Sequence, residues 1–303
     1  MQIPTFAPIP KKGLKVFLWA LVAIYTFLLP DAIILYRDIV GFFGQAAAGK
    51  VPILIVSAGG IAYVIAILLS KQSLKKLIYL APCGVIAFLI MSLVANPNKH
   101  IHIPEYALMA WLLFAVLSLD YQGKGIFMLI FIYASLLGVV DELEQGINPA
   151  RFYGLSDMLV NSASALIGVF TIMGLKKTIA NDWAWTAHLK EFKTLLWLNL
   201  FGFTGAVSMC AVLFQVQAKG EFWGVYPGWL WAWNILFLIM TPAVIGLYRR
   251  KLRKKQPISG NGNAHNPHPE TITAQLWIYP LLGILVYMHA LVIFISISGL
   301  KFS

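Results

Sequence analysis

The sequence predicts an all-α, polytopic membrane helical bundle of about nine transmembrane helices, with its N-terminus in the cytoplasm. Three observations predict it. Apolar residues make up 59% of the chain and charged residues only 12%, against roughly 25% charged in a soluble domain. Mean hydropathy is +0.77, and the apolar residues fall in blocks close to the ~20 residues a helix needs to cross hydrocarbon. Lys and Arg gather in every second segment between those blocks, as alternating cytoplasmic loops require. Only helices and closed barrels satisfy their backbone inside lipid, and blocks of this length without period-2 alternation are helices.

The spans follow in order from apolar runs, breakers and charges: about 14–36, 51–70, 77–95, 103–119, 125–140, 157–175, 194–217, 229–248 and 276–297. The first follows Lys11, Lys12 and Lys15. It is longer than a signal-peptide apolar region and is interrupted by Pro30-Asp31, so an uncleaved anchor is expected. Pro104 suits the first turn of the fourth span. The short DYQGK turn joins the fourth and fifth as an antiparallel hairpin. Ser156 or Asp157 is expected to cap the sixth. The stretch NDWAWTAHLKEFK (181–193) reads as interfacial, with Trp183 and Trp185 at headgroup level. PISGNGNAHNPHPET (257–271) reads as a flexible cytoplasmic linker whose His265 and His268 are solvated. The chain divides into N-terminal helices (1–76), a polar-rich core (77–175) and C-terminal helices (176–303), with a cytoplasmic linker near 249–272.

With the N-terminus inside, the cytoplasmic segments hold 17 of the 23 Lys and Arg, and six face outward: Arg37, Lys50, Lys99, Arg151, Lys219 and Lys301. The net charge of +11 is then topology and contact with anionic lipid. The run RRKLRKK abuts a span, so no nucleic-acid partner is expected. Cys83 and Cys210 both lie in apolar runs and read as free thiols.

Polar residues at the outer face carry the functional reading. DELEQGINPARFYGLSDMLVN (141–161) places Asp141, Glu144 and Gln145 at i, i+3 and i+4, on one face if the fifth helix reaches that far. A turn carrying Arg151 follows, then Asp157, Asn161, Ser164 and Gly168 at helical spacing. KHIHIPEY (99–106) supplies Lys99, His100, His102, Glu105 and Tyr106 at the same face. Ionisable groups at membrane depth cost about 2.5–3.5 kcal/mol each on insertion scales, so they persist where they pair, meet water or work. The plain alternative pairs Arg151 with Asp157 or Glu142 and makes the acids helix caps. The functional reading takes His102, Asp141, Glu142, Gln145 and Asp157 as catalytic candidates, and Lys99, Tyr106, Arg151 and Asn161 as ligand-binding candidates. His102 suits general acid–base chemistry near neutrality, with Glu142 or Asp141 to orient it. Arg151 suits a phosphate or carboxylate fork. A metal version would use His100, His102, Glu142 and Asp157, but the spacing does not single out a metal, and no cofactor is expected. Neither a G-x-S-x-G elbow nor an HExxH helix is present.

The ordered set Lys99-x-x-His102-x-x-x-Tyr106, Asp141-Glu142-x-x-Gln145, Arg151, Ser156, Asp157 and Asn161 resembles the VanZ-like family of small bacterial membrane proteins. The likeness covers about residues 75–175. Where that family often has Gly just after the Asn, this chain has Ser162, Ala163 and Ser164, and the last three spans lie outside the likeness. The resemblance implies a bacterial cell (inner) membrane protein facing a cell-envelope, lipid-linked or peptidoglycan-precursor ligand. A family association with teicoplanin resistance comes with it. A non-catalytic binding, transport or assembly subunit is the alternative. The cytoplasmic halves of spans four to six are nearly all apolar, which disfavours a carrier.

Overall fold

The structure is a computed structural model that describes residues 11–70, 73–94, 96–148, 151–177, 180–186, 189–255 and 273–303. The linker expected at 257–271, with His265 and His268, lies outside the described residues. Among those described, nine helical stretches are long and apolar enough to cross a membrane: Lys11–Asp31, Gln45–Leu69, Leu74–Leu93, Pro97–Leu117, Gly125–Gln145, Leu155–Leu175, Leu189–Lys219, Gly228–Arg250 and Ala274–Ser298. No strand occurs among them. The chain is an all-α, multi-pass membrane protein.

The helices are α1 (Lys11–Leu28), α2 (Ala32–Phe43), α3 (Gln45–Ala48), α4 (Val51–Leu69), α5 (Leu80–Leu93), α6 (His102–Leu117), α7 (Gly125–Gln145), α8 (Leu155–Leu175), α9 (Lys193–Lys219), α10 (Gly228–Lys255) and α11 (Tyr279–Ser298). Two boundaries differ from the sequence reading for physical reasons. The first span stops near Asp31, because Pro30 falls in a 3-10 turn that breaks the helix, and α2 is a separate element after it. The fifth continues to Gln145, so Asp141, Glu144 and Gln145 are helical and share a face.

The described chain forms two compact units, residues 1–135 with 159–180, and residues 136–158 with 181–303. In the first unit, contacts between helix ends agree with alternating spans. Lys15 pairs with Asp120, and Lys11 stands 3.7 Å from the same carboxylate. Lys76 donates to the carbonyl of Lys176 just past the end of α8, where a cation meets the negative end of the helix dipole. At the opposite helix ends, the Tyr25 hydroxyl donates to the carbonyl of Glu105 at 3.0 Å. The exposed Leu54, Ile61, Phe88 and Leu93 need no cover in a lipid solvent.

Helix α6 runs parallel to α8 within this unit. A Cβ on Gly168 would lie 2.6 Å from the carbonyl oxygen of Ala107 and from the Ala110 side chain. Farther along both helices, the Trp111 indole donates to the Thr171 hydroxyl at 3.1 Å. Contact pairs that advance together fix a parallel register, and the absent side chain at 168 permits the close approach.

In the second unit α9, α10 and α11 pack around a buried polar line. His289 is fully buried, with Nδ1 2.8 Å from Asn234 Oδ1 and Nε2 3.0 Å from the carbonyl of Gly202. The Asn234 amide reaches the Tyr226 hydroxyl at 2.7 Å. A carbonyl only accepts, so Nε2 carries a proton. A neutral ring closes the line when the Asn234 amide presents its nitrogen to Nδ1 and its oxygen to Tyr226, an orientation assigned from the network. Gly202 and Gly205 leave the room: a Cβ at either would lie 2.5 Å from the Phe237 or Trp233 ring. His289→Leu leaves one side of the Asn234 amide without a partner in an apolar core, while the Gly202 carbonyl keeps its helical bond. At about 1–3 kcal/mol per unsatisfied group, the melting temperature of the purified protein is expected to fall by several degrees, read by thermal unfolding in detergent.

Trp185, expected at headgroup level, is covered by protein. The residue is 9% exposed, and its ring packs edge-on to Trp277 at 5.6 Å, whose indole donates to the carbonyl of Trp185. Trp183 remains half exposed, at 51%.

Candidate functional site

In the second unit the polar residues are organised by the loop between α7 and α8. Glu142 is fully buried, and its Oε2 accepts the Gly154 N–H at 3.0 Å. The Gly154 carbonyl in turn accepts the N–H groups of Asp157 and Met158. Gly154 therefore caps α8, in place of the expected Ser156 or Asp157, and Asp157 lies in the first turn, where an acidic group complements the dipole. A carboxylate of α7 thus fixes where α8 begins.

Arg151 is half-buried and sends both Nε–H, at 3.0 Å, and Nη2–H to the side-chain oxygen of Gln145. It forms no ion pair with a described carboxylate. The expectation that Arg151 pairs with Asp157 or Glu142 is thus replaced by a bond to a neutral amide. Of the five guanidinium N–H groups, three are left, and among the described residues the positive charge has no bonded counter-ion. The nitrogen of Gln145 is buried without a hydrogen-bond partner.

The loop lies well below the helix ends around it. The Tyr153 hydroxyl donates to the carbonyl of Cys210 at 3.2 Å, nine residues and about 14 Å of helical rise before Lys219. Burial raises the Tyr153 phenol far above its ordinary value, so it serves as a donor and not as a base. Tyr287 donates to Glu144 at 2.6 Å, eleven residues before the end of α11. After Gly299, whose φ is +67°, the chain folds back. Ser303 then bonds the Gly146 carbonyl through its N–H and receives the Tyr153 N–H on its carbonyl. Phe302 fills the space over Gly146, where a Cβ would lie 2.4 Å from the ring. Residues 302–303 clamp the loop that carries Arg151.

The first unit holds the remaining sequence-predicted residues, Lys99, His102, Tyr106 and Asn161. His102 opens α6, and its Nδ1 lies 3.1 Å from Glu105 Oε2, one turn along the same helix. The approach is off the line a hydrogen bond needs, so it is a close polar contact. Glu105 is a carboxylate placed beside His102 within its unit. His102 and Tyr106 stand at i and i+4 with ring centroids 6.3 Å apart. His100 turns its Nε2 to the Val94 carbonyl at 2.9 Å.

On α8, Asn161, Ser164, Gly168 and Thr171 form one stripe, and Gly168 and Thr171 touch α6. Asn161 and Ser164 are fully buried, and neither amide atom of Asn161 nor the hydroxyl of Ser164 has a hydrogen-bond partner. Each such group costs about 1–3 kcal/mol. A water or a hydroxyl group is the kind of partner that satisfies such atoms.

The structure therefore joins Gln145 to Arg151, Glu142 to Gly154 and His102 to Glu105. Sequence reasoning missed His289, Asn234 and Tyr287. Their one signal was a polar residue in the middle of an apolar span. Among the described residues no three or more His, Cys, Asp or Glu side chains gather as metal ligands would.

Fold and site together define a multi-pass α-helical membrane protein with ionisable groups buried at the ends of its spans. No family model, curated protein or solved structure matches the chain.

Proposed function

We propose that the protein binds the anionic headgroup of a lipid-linked cell-envelope ligand at the outer face of a bacterial inner membrane, as a VanZ-like protein would, with Arg151 as the anion fork. The single observation that carries this reading is the Arg151 side chain. It is half-buried, held by two N–H groups on the neutral oxygen of Gln145, and has no described carboxylate as counter-ion. A guanidinium fixed in this way is pre-organised for a phosphate or carboxylate, which its planar fork fits bidentately. Any link to glycopeptide resistance rests on the family resemblance alone.

A non-catalytic binding role is the reading's second form, and one observation favours it. Glu142 is engaged by a backbone N–H, and the Tyr153 phenol is held protonated by burial, so neither forms a nucleophile–base pair in that loop. The test uses the full chain in phosphatidylcholine nanodiscs, titrated with a C55 polyprenyl phosphate and with the uncharged C55 polyprenol. The phosphate is expected to bind at least about tenfold more tightly, as one charge-assisted bond of about 1.5–3 kcal/mol implies. Equal affinity would sink the anion reading. For sidedness, a cysteine at Asn148 is expected to react with an impermeant maleimide on intact cells, and protection there would reverse the orientation.

A further inference from the structure

We propose that the seam between α6 and α8 in the first unit is a second binding site, taking an uncharged hydroxyl-bearing headgroup of the kind a sugar presents. It stands on residues other than Arg151 and does not depend on the anion reading. The stripe Asn161–Ser164–Gly168–Thr171 faces α6, because its last two members touch Ala107, Ala110 and Trp111. Those contacts relate the two parallel helices by an offset of about 60 residues. The same offset, continued toward the N-terminal ends, sets Asn161 at the height of His102 and Ser164 at that of Tyr106. His102, Tyr106 and Ala110 follow at four-residue spacing, on the face of α6 that meets α8. Val160 and Ile103 share one apolar cluster, which agrees with this register.

Two side chains with 0% exposure then offer one amide donor, one amide acceptor and one hydroxyl, none with a partner. A hydroxyl group both donates and accepts, so it can answer an amide oxygen and an amide nitrogen at once. An anion is the wrong guest. Carboxylates flank this face: Glu105 lies 3.1 Å from His102 and Asp157 stands one turn before Asn161 on α8, and burying like charges together is unfavourable. Asn161 lies only about 9 Å of helical rise from the start of α8, within reach of a headgroup. His102, with Glu105 beside it, stands where it can meet the bound hydroxyl.

The experiment measures thermal unfolding of the full chain in phosphatidylcholine nanodiscs, with and without a monoglucosyl diacylglycerol, and separately with free glucose. Wild type is expected to gain about 5 °C at glycolipid well above its Kd. A shift with the lipid alone makes the guest a membrane glycolipid. A shift with glucose as well makes it a sugar in either form, and both support the site. Asn161→Leu removes two unsatisfied atoms, so its unliganded Tm is expected to equal or exceed wild type while the glycolipid shift disappears. Ser164→Ala is the second variant, with the shift reduced by half or more. The site is overturned if wild type shows no shift with either probe. It is also overturned if the shift survives both substitutions, or if Asn161→Leu lowers the unliganded Tm, as removal of an amide satisfied by water would. Gln145→Glu separates the two readings: it is expected to leave the glycolipid shift intact while changing polyprenyl phosphate binding, and Asn161→Leu is expected to do the reverse.

Discussion

Gln145→Glu is expected to abolish tight binding of the polyprenyl phosphate while leaving the protein folded at wild-type yield. In the wild type the guanidinium of Arg151 is held by the neutral oxygen of Gln145, so it is positioned without being neutralised. A glutamate there keeps an acceptor oxygen in the same place and adds the missing counter-charge. The loop keeps its bond, made stronger by charge, but the cation no longer has an anion to seek. Affinity for the phosphate is expected to fall by about 10- to 100-fold, the equivalent of one charge-assisted hydrogen bond, with little change in polyprenol binding. Arg151→Ala is the less informative change, because it strands the buried Gln145 oxygen and lowers stability and binding together. The measurement is a titration in nanodiscs beside a thermal unfolding curve. Wild-type phosphate affinity in Gln145→Glu would show that Arg151 is a structural clasp only.

Gly168→Val is expected to be the most damaging single substitution in the first unit. A Cβ there would sit 2.6 Å from the Ala107 carbonyl oxygen and 3.0 Å from its Cα. Those are backbone atoms of a packed helix and cannot swing aside as a flexible side chain would. The helices must separate, at about 1–3 kcal/mol for ordinary overpacking and more where backbone moves, and the bond from Trp111 to Thr171 is lost with them. A Tm drop of several degrees is expected, larger for Val than for Ala. Ala110→Gly in the same chain is expected to restore only part, since it removes one of the clashing atoms and leaves the carbonyl. A Gly168→Val protein that melts like wild type would refute the close parallel seam.

The register of that seam decides the meaning of residues the sequence displays openly. Asn161, Ser164 and Gly168 read as one polar and small stripe from their spacing, and the structure places the stripe against α6. Their spacing could not say that Asn161 and Ser164 would be left without partners, because that depends on what the facing helix offers. Arg151 makes the same point. Its proximity to acidic residues in the chain suggests an ion pair, but the geometry of the turn gives it Gln145. Glu105, three residues from His102 in the first turn of α6, was legible as a neighbour. His289 and Asn234 lie in spans 55 residues apart, and nothing local links them.

What the sequence determines by itself is the class of the protein. Long apolar blocks leave the backbone no partner but itself, and charge between the blocks sets where the chain turns. Those are one-dimensional properties, additive along the chain, so nine spanning stretches and their boundaries follow to within a few residues. What only the tertiary structure decides is which polar groups spend their hydrogen bonds on each other and which keep them free. Pairing is a property of distances a few ångströms across, set by helix register, by a glycine that admits a neighbour, and by a tail that folds back onto a loop. Shifting one helix by a single turn would exchange satisfied groups for open ones without altering the composition of any span.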